Sequence, residues 1–559
     1  MKEIIAQILA KPAKLPKSKV MEILEVPKDS KLGDYAFPCF PLAKEQKRNP
    51  AEIASEIADN LKNVLEIEKV MPVGGYVNIF LNRNLFVGKT LEIIQKEKDK
   101  YGSSKTSKEK IMIEFSQPNT HKAFHVGHIR GTSMGESLAR ISEFFGAKVI
   151  RANYSGDTGM HIAKWIWAYQ KYHKNEKLKD EEFWIASIYV DAIKRLSENE
   201  DFQKEVDEIN RKIETREDKK INQLWKKTKK LSIKSWDKIY RELGTHFDVH
   251  YFESELEQEG KKIAEQLLKK GIAKKSEDAV IMDLKEFDLG VWVLLRKDGT
   301  VLYSAKDLAL AERKTREFKS DKYLVIVGDE QRLHFQQLLK TLEIMGLNKN
   351  RKYDFLTYGM VRLPTGKMSS RTGENILYSE FMNEITDYAK EEIKKRSPDI
   401  PSGDLAKRSL AISISAMKYS MLKQDSNKVI IFDKQEALSF EGNTGPYLLY
   451  TYARAQSILR KAKQISKKYP IHNLTDLEKA LVFQLRDFPD VVSRAYENLS
   501  PNLIANYAYQ LAQTFNEFYH ANQVIGSENE KFRLVLVDSF SHVLKNALHL
   551  LGIQVIDKM

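Results

Sequence analysis

Residues 111–128 read Ile111-Met-Ile-Glu114-Phe-Ser116-Gln-Pro-Asn119-Thr-His-Lys-Ala-Phe-His125-Val-Gly127-His128. The run from Ile111 to Phe115 is mostly apolar and β-type, and a helical pattern of apolar positions follows from Ile129 to Phe145. Strand, loop and helix in that order put the loop and the helix N-terminus at the C-terminal edge of a sheet. That is the crevice in which doubly wound α/β folds hold nucleotides. Free backbone N–H groups and the helix dipole favour phosphate there. Gly127 lets a ligand approach the backbone closely, and His125 and His128 can donate to phosphate oxygens as charge develops.

A second stretch, Gly366-Lys-Met-Ser-Ser-Arg371, lies far downstream, with Pro364 and Gly366 marking it as a loop. Lys367 supplies a mobile cation for the β- and γ-phosphates of a nucleotide, and Ser369 and Ser370 supply hydroxyls. Either short motif alone is a weak signal; in this order and with these flanks they form a pair. His125-Val-Gly-His128 resembles the "HIGH" signature of class I aminoacyl-tRNA synthetases, and the downstream loop resembles their "KMSKS" signature. Two positions depart from it: Ser370 stands fourth and Arg371 fifth, so the second positive charge moves by one residue.

Four further segments resemble arginyl-tRNA synthetases in particular. Arg151–Ala163 is similar to their strand and "GDxG" turn, and Tyr303-Ser-Ala-Lys-Asp-Leu-Ala309 to their "YxTRDLA" helix. Gly328–Phe335 resembles their "QxxHF" strand end. Gly442–Arg454 resembles the opening of their helical anticodon-binding domain, and the chain ends in Leu550-Leu-Gly-Ile553 and Met559 as many of these proteins do. The resemblance covers nearly the whole chain. It implies an α/β, Rossmann-like parallel-sheet catalytic domain with an N-terminal α+β domain and a C-terminal all-α anticodon-binding domain. It also implies an enzyme that activates L-arginine with ATP to arginyl-adenylate and pyrophosphate. Arginine then passes to the 3′-terminal adenosine of tRNA(Arg), through the 2′-hydroxyl in class I. Mg²⁺ is expected with ATP, held mainly by phosphate and water.

Bulk properties agree with this. A chain of 559 residues exceeds one core, and its net charge of +14 favours a polyanionic partner. The single cysteine, Cys39, excludes a disulfide framework and a cysteine-based zinc site, and with it a cysteinyl synthetase. In Phe37-Pro-Cys-Phe40 it reads as a small buried apolar residue. No run of 18 apolar residues is present, and Met1–Ala6 does not read as a signal peptide. A cytoplasmic enzyme, without a membrane and acting as a monomer, is expected. No GxGxxG opens a βαβ unit, which disfavours a dinucleotide oxidoreductase. The alternative from another class is a catalytically altered, synthetase-like tRNA-binding protein, but both histidines and Lys367 are present.

The expected division is 1–105 for an N-terminal module that resembles the family's additional tRNA-binding domain and 106–375 for the catalytic domain. A helical connector at 376–435 and an anticodon-binding domain at 436–559 follow. Within the first module, 1–10 and 50–64 read as helical and Met21–Val26 and Tyr76–Leu81 as strands. The catalytic domain carries a charged insertion at about 172–250, read as a solvated helical pair. Lys322–Gly328 reads as a buried strand, and Pro470, Pro489 and Pro501 read as breaks between C-terminal helices.

Tyr303 and Asp307 are four apart and share a helix face. A buried carboxylate there can take a guanidinium in a bidentate fork that a lysine ammonium cannot reproduce. The resemblance places Asp307 on the guanidinium, with Tyr303 and Gln331 as polar wall. Glu114 is expected at the amino group or behind it, and Ser116 and Asn119 at the carboxylate and amine. His125, Gly127, His128, His334, Lys367, Ser369 and Ser370 are expected on ATP, with His125, His128 and Lys367 catalytic. No protein-held metal is expected. Tyr447, Tyr450, Arg454, Tyr509 and Met559 are expected on tRNA, where unstacked bases meet aromatic rings. Glutamyl and glutaminyl synthetases would present a cation where this chain presents Asp307.

Overall fold

The computed structural model describes residues 2–27, 29–105, 107–364, 377–462, 464–466, 469–471 and 473–559. The chain divides into two compact units, one of Met1–Lys98, Ala462–Arg486 and Glu517–Phe540, the other of Asp99–Lys461, Asp487–Asn516 and Ser541–Met559.

The first unit opens with α1 (Lys2–Ala10), α2 (Lys17–Ile23), β1 (Tyr35–Pro38), α3 (Phe40–Gln46), α4 (Pro50–Leu61), β2 (Ile67–Val73), β3 (Tyr76–Leu81) and α5 (Arg83–Glu97). The strands form an antiparallel sheet in the order β1-β3-β2. Phe37, Val77 and Ile79 of the sheet share a core with Ile53, Ala54 and Ile57 of α4 and with Cys39, which is fully buried as expected. The strand expected at Met21–Val26 is instead the end of α2 and its exit. Val20 buries under the first helix, and only Glu25 pairs as a bridge, with Ala36.

The second unit is built on β4 (Lys110–Glu114), α6 (Val126–Phe144), β5 (Lys148–Ser155), α7 (Met160–Ala168), α8 (Glu182–Glu198), α9 (Phe202–Thr215), α10 (Lys219–Glu242) and β6 (Val249–Phe252). Next come α11 (Glu257–Lys269), β7 (Lys274–Ser276), β8 (Ala279–Asp283), β9 (Val291–Leu295), α12 (Tyr303–Phe318), β10 (Lys322–Gly328), α13 (Arg332–Ile344), β11 (Lys352–Tyr358) and β12 (Val361–Arg362). Then follow α14 (Tyr378–Arg396), α15 (Ser402–Leu422), β13 (Ile430–Ile431), α16 (Lys434–Ala437), α17 (Gly445–Lys461), α18 (Asp476–Glu497), α19 (Pro501–Ala521) and α20 (Glu530–Leu550). The last three helices contribute to both units.

A five-stranded, wholly parallel sheet runs in the order β11-β10-β4-β5-β6. The chain winds outward from β4 to β6, then crosses to the other side of β4 to add β10 and β11. The winding direction therefore changes between β4 and β10, and ligands of such folds bind above the carboxyl ends of those strands. An antiparallel layer, β7-β8-β9, packs with α11 and α12.

The insertion is not a solvated pair. It holds three helices, α8, α9 and α10, which with α7 enclose Trp165, Trp167, Trp184, Trp225, Ile188, Val206 and Ile213. Most of its charges occupy the outer faces, so composition concealed the apolar stripe; Glu182 and Lys229 are exceptions that turn inward, onto the α14 amides and onto Asp157. Pro489 does not end a helix either; it lies inside α18, whereas Pro501 opens α19. Among the described residues no helix is long and apolar enough to cross a membrane.

Candidate active site

His125 is the N-cap of α6. Its Nδ1 accepts from the Gly127 amide at 3.1 Å, and Nδ1 of His128 accepts from the His125 amide at 3.1 Å. An Nδ1 that accepts carries no proton, so each neutral ring holds its hydrogen on Nε2. Burial, with Lys122 adding, holds His125 down to about 4; burial, His125 and Lys122 hold His128 well below its ordinary range. The rings lie 3.9 Å apart. Two histidines thus cap the helix and leave two Nε2–H donors fixed by backbone, an arrangement suited to anionic oxygen and unsuited to a cation.

The loop between β4 and α6 is held from outside. Ser116, Gln117 and His121 have φ of 79°, 50° and 63°, a conformation that non-glycine residues hold only under surrounding constraint. The constraint comes from the insertion. His121 is fully buried, its Nε2 2.7 Å from Thr228 Oγ1 and its amide donating to Ser232 Oγ at 3.0 Å, both on α10. Ser116, expected on substrate, turns inward: it meets the Tyr240 hydroxyl at 2.9 Å and accepts from Thr132 at 2.8 Å. Its neighbour Gln117 faces the cleft in its place, a swap that alternation could not reveal because the backbone reverses there.

A cleft of about 500 Å³ opens at the switch point. Its wall includes Glu114, Gln117 and Asn119 after β4, Tyr154 and Gly156 at the end of β5, and Glu253 after β6. Tyr303 and Asp307 come from α12, and Gln331 and His334 from the segment after β10. Expected residues Glu114, Asn119, Tyr303, Asp307 and Gln331 therefore come together. His334, expected on ATP, sits against Asp307: Trp292 Nε1 donates to its Nδ1 at 3.2 Å, and its Nε2 donates to Asp307 Oδ2 at 2.6 Å. The Tyr303 ring lies 4.7 Å from the His334 ring and is 58% exposed. Glu114 is buried and ion-paired with Lys314, and accepts from Gln117 Nε2 at 3.0 Å. Burial lowers the Lys314 ammonium to about 7. Neither Lys314 nor Trp292 stood out in the sequence, because each acts through a contact distant in the chain.

Gly366, Lys367, Ser369, Ser370 and Arg371 lie outside the described residues. The segments flanking them are anchored on α6 and its cap. Arg130 is fully buried and donates to the carbonyls of Gly359, Ser426 and Lys428. On the other side Tyr378 N donates to Phe124 O at 2.9 Å, and His125 bridges to Leu377. Glu182 of α8 accepts from Tyr378 N at 3.2 Å and Ser379 N at 2.9 Å, capping α14.

Residues 90–434 match the family model "tRNA synthetases class I (R), catalytic domain", 1–81 match "Arginyl tRNA synthetase N terminal domain", and 448–559 match "DALR anticodon binding domain". The chain belongs to the arginyl-tRNA synthetase family. An arginine–tRNA ligase of Clostridium acetobutylicum is 35% identical over 100% of both chains, and one of Clostridium perfringens is 34% identical with the same coverage. The arginyl-tRNA synthetase structure from Thermus thermophilus superposes with a TM-score of 0.80 at 26% identity, covering 100% of both chains. That from Plasmodium falciparum gives 0.78 at 23% identity over 100% of this chain and 99% of its own, a likeness of fold.

In the part of the chain that matches the family's anticodon-binding domain, Tyr450 and Arg454 lie on α17 and Tyr509 on α19; Tyr447, also on α17, lies just before the matched residues. The Arg454 guanidinium stands 4.9 Å over the Tyr450 ring and donates to Asn516 Oδ1; Asn516 in turn donates to the Tyr447 hydroxyl at 2.9 Å. Tyr447 and Tyr509 meet edge to face at 5.7 Å. The four residues thus form one cluster across two helices, with Tyr450 exposed. Met559 belongs to the irregular segment after α20, where Arg460 of α17 donates to the Asp557 carbonyl at 2.9 Å.

Proposed function

We propose that the chain is an ATP-dependent arginine–tRNA ligase in which the cleft at the β4–β10 switch point is the arginine site and the His125–His128 cap the nucleotide site. The observation that carries this reading is the placement of Asp307 and Tyr303 in a cleft that is also lined by Gln117 and Asn119, from the same β4–α6 connection that ends in the His125–His128 cap with its two fixed imidazole N–H donors. The arginine guanidinium meets Asp307 as a charge-assisted fork, with Tyr303 and Gln331 alongside. Asn119 and Gln117 serve the amino-acid head group, and Glu114 supports Gln117 from behind. The arginine carboxylate attacks the α-phosphorus of ATP and pyrophosphate leaves. Nε2–H of His125 and His128 and the Lys367 ammonium meet the charge that grows on the phosphates. The terminal adenosine hydroxyl of tRNA(Arg) then attacks the mixed anhydride carbonyl, and AMP leaves. Positioning and charge stabilisation carry both steps.

ATP brings Mg²⁺ on its phosphates; the donors at the α6 cap suit the phosphates, not the ion. Residues 1–105 and 436–559 act as tRNA-binding modules on this reading, with Tyr447, Tyr450, Arg454, Tyr509 and Met559 as contacts and 376–435 as connector. His334 acts on arginine through Asp307. Charging of total tRNA with each of the twenty amino acids tests the whole: arginine alone is expected to support ATP-dependent acylation. Acylation with another amino acid, or tRNA binding with no acylation, would refute it; the latter would favour the synthetase-like binding protein.

A further inference from the structure

α10 carries a row of buried hydroxyls with no part in the chemistry proposed above. Its outer side is rich in lysine, with Lys226, Lys227, Lys230 and Lys234 exposed, whereas Thr228, Ser232 and Tyr240 are buried. Serine and threonine are neutral to unfavourable inside helices, and a buried hydroxyl needs a partner. All three find that partner in the β4–α6 connection.

Thr228 Oγ1 donates to the Leu224 carbonyl at 2.9 Å, so its oxygen is left to accept the Nε2–H of His121 at 2.7 Å. Burial, with His161 and Lys229 adding, holds His121 down to about 3, so the ring is neutral and carries one N–H. Ser232 Oγ accepts from the His121 amide at 3.0 Å. Further along α10, about 12 Å of helix from Ser232, the Tyr240 hydroxyl meets Ser116 Oγ at 2.9 Å and accepts from Asn153 Nδ2 at 3.1 Å. Ser116 and His121 both have left-handed backbone, and between them lie Gln117 and Asn119, which line the cleft. α10 thus fixes both ends of the span that presents those two amides. The same helix holds the turn after β5. Trp225 Nε1 donates to the Asp157 carbonyl at 2.8 Å, and Lys229 pairs with the Asp157 carboxylate at 2.6 Å. The Thr120 amide closes the set by donating to Gly156 O at 2.9 Å.

Left-handed backbone at non-glycine residues persists only where the surroundings over-determine it, and here three hydroxyls on one helix do so. We propose that Thr228, Ser232 and Tyr240 are positioning residues for arginine activation: none of them lines the cleft, and through His121 and Ser116 they hold Gln117 and Asn119 in register with the His125–His128 cap. This assignment rests on the proposed function above. Attack of the arginine carboxylate on the α-phosphorus needs the two aligned, and a shift of about 1 Å caused far from the chemistry can cost on the order of 10²-fold in rate. The cap is fixed by the backbone at the start of α6 itself. Loss of an α10 hydroxyl therefore moves the head-group side against a nucleotide side that stays in place.

The test is arginine-dependent exchange of pyrophosphate into ATP by the full-length protein with tRNA(Arg) present, arginine and ATP being varied separately. Thr228→Val keeps the shape and removes the acceptor for His121; Thr228→Ser keeps the acceptor. The valine variant is expected to lose on the order of tenfold in kcat with KM for ATP within about twofold of the parent. The serine variant is expected to stay within about twofold in both. Tyr240→Phe, which removes one hydroxyl and keeps the ring in the core, is expected to lower kcat at least about threefold, again with KM for ATP unchanged. A kcat within about twofold of the parent in Thr228→Val or in Tyr240→Phe overturns the assignment. Equal losses in the serine and valine variants also overturn it, because shape and not the hydroxyl would then be what matters. So does a KM for ATP that rises in step with the fall in kcat, which would place the effect on nucleotide binding. Where Thr228→Val does not fold, Tyr240→Phe decides by the same criteria. If the parent protein does not activate arginine, the proposed function fails; if the parent does and the variants match it, only this inference fails.

Discussion

The Asp307 carboxylate accepts a 2.6 Å hydrogen bond from Nε2 of His334, whose Nδ1 is occupied by the Trp292 indole N–H at 3.2 Å. The relay runs from β9 through α13 to α12 and fixes one carboxylate oxygen, leaving the other for the cleft. Asp307→Asn keeps the acceptor for His334 through its amide oxygen, so the fold is expected to survive. The counter-charge is lost. A buried cation without its partner costs roughly 2–5 kcal/mol, so KM for arginine is expected to rise at least about tens-fold. KM for ATP is expected to change little. A near-normal arginine KM in this variant would remove Asp307 as the specificity residue.

How much of this site the sequence disclosed depends on the range of the contact. Tyr303 and Asp307 were legible because four residues on a helix is a local spacing. The His125–His128 cap was legible for the same reason. His334 was not: its partner lies 27 positions away in the chain, and its ring could equally have faced a nucleotide. Ser116 was misplaced because three left-handed residues turn the loop, and nothing in Ser-Gln-Pro-Asn-Thr-His signals which will adopt them. Those residues hold their conformation against α10, 107 residues away from His121, in an insertion whose surface charge masked a tryptophan-rich interior. The strands at 111–115 and 322–328 were legible as apolar β-type runs, whereas in Met21–Val26 the residues to Ile23 close α2 and Leu24–Val26 leave it extended, because Val20 and Leu24 bury in the core shared with α1.

Arg130 is fully buried on α6 and its guanidinium is shared among backbone carbonyls on two crossing segments, 359–360 and 425–428. Arg130→Met would leave those carbonyls unmatched in an apolar setting. The expected cost is about 3 kcal/mol or more, read as a lower urea midpoint. Arg130→Lys is expected to recover little, because three donors on a point charge do not span the same fork. A Met variant within about 1 kcal/mol of the parent would show that water replaces the guanidinium at low cost.

Glu182 carries the clearest pH signature. Burial pushes its carboxyl from an ordinary 4.5 up to about 7, against the lowering effect of the Ser379 and Tyr378 amides and with Glu380 adding. The folded protein thus binds this proton more tightly than the unfolded chain. Stability from this group is present below about 4.5 and is lost as pH rises through about 7, since the slope follows protons bound in the unfolded minus the folded state. Glu182→Gln removes the titration. The stability of the parent relative to this variant is therefore expected to fall between pH of about 5 and about 8, measured by urea unfolding in matched buffers. A difference independent of pH would mean that Glu182 stays ionised on the α14 amides throughout.

Gly552 follows α20 with φ +68°, and a Cβ placed on it would lie 2.8 Å from the Lys418 ammonium. That lysine is buried, with its nitrogen donating to Gly552 O at 2.7 Å and to Leu243 O. Burial lowers it to about 7, so the two carbonyls are what keep it in place. Gly552→Ala meets two obstacles at once: a left-handed backbone that costs roughly 1 kcal/mol without glycine, and a contact that must push a doubly bonded ammonium aside. The expected loss is about 2 kcal/mol in urea unfolding. Gly552→Asn separates the causes, because asparagine tolerates the left-handed region yet carries the same Cβ. If backbone strain dominates, the Asn variant recovers most of the loss; if the Lys418 contact dominates, Asn and Ala are equally destabilised. An Ala variant as stable as the parent would show that the turn and the Lys418 ammonium relax around the added methyl group at little cost.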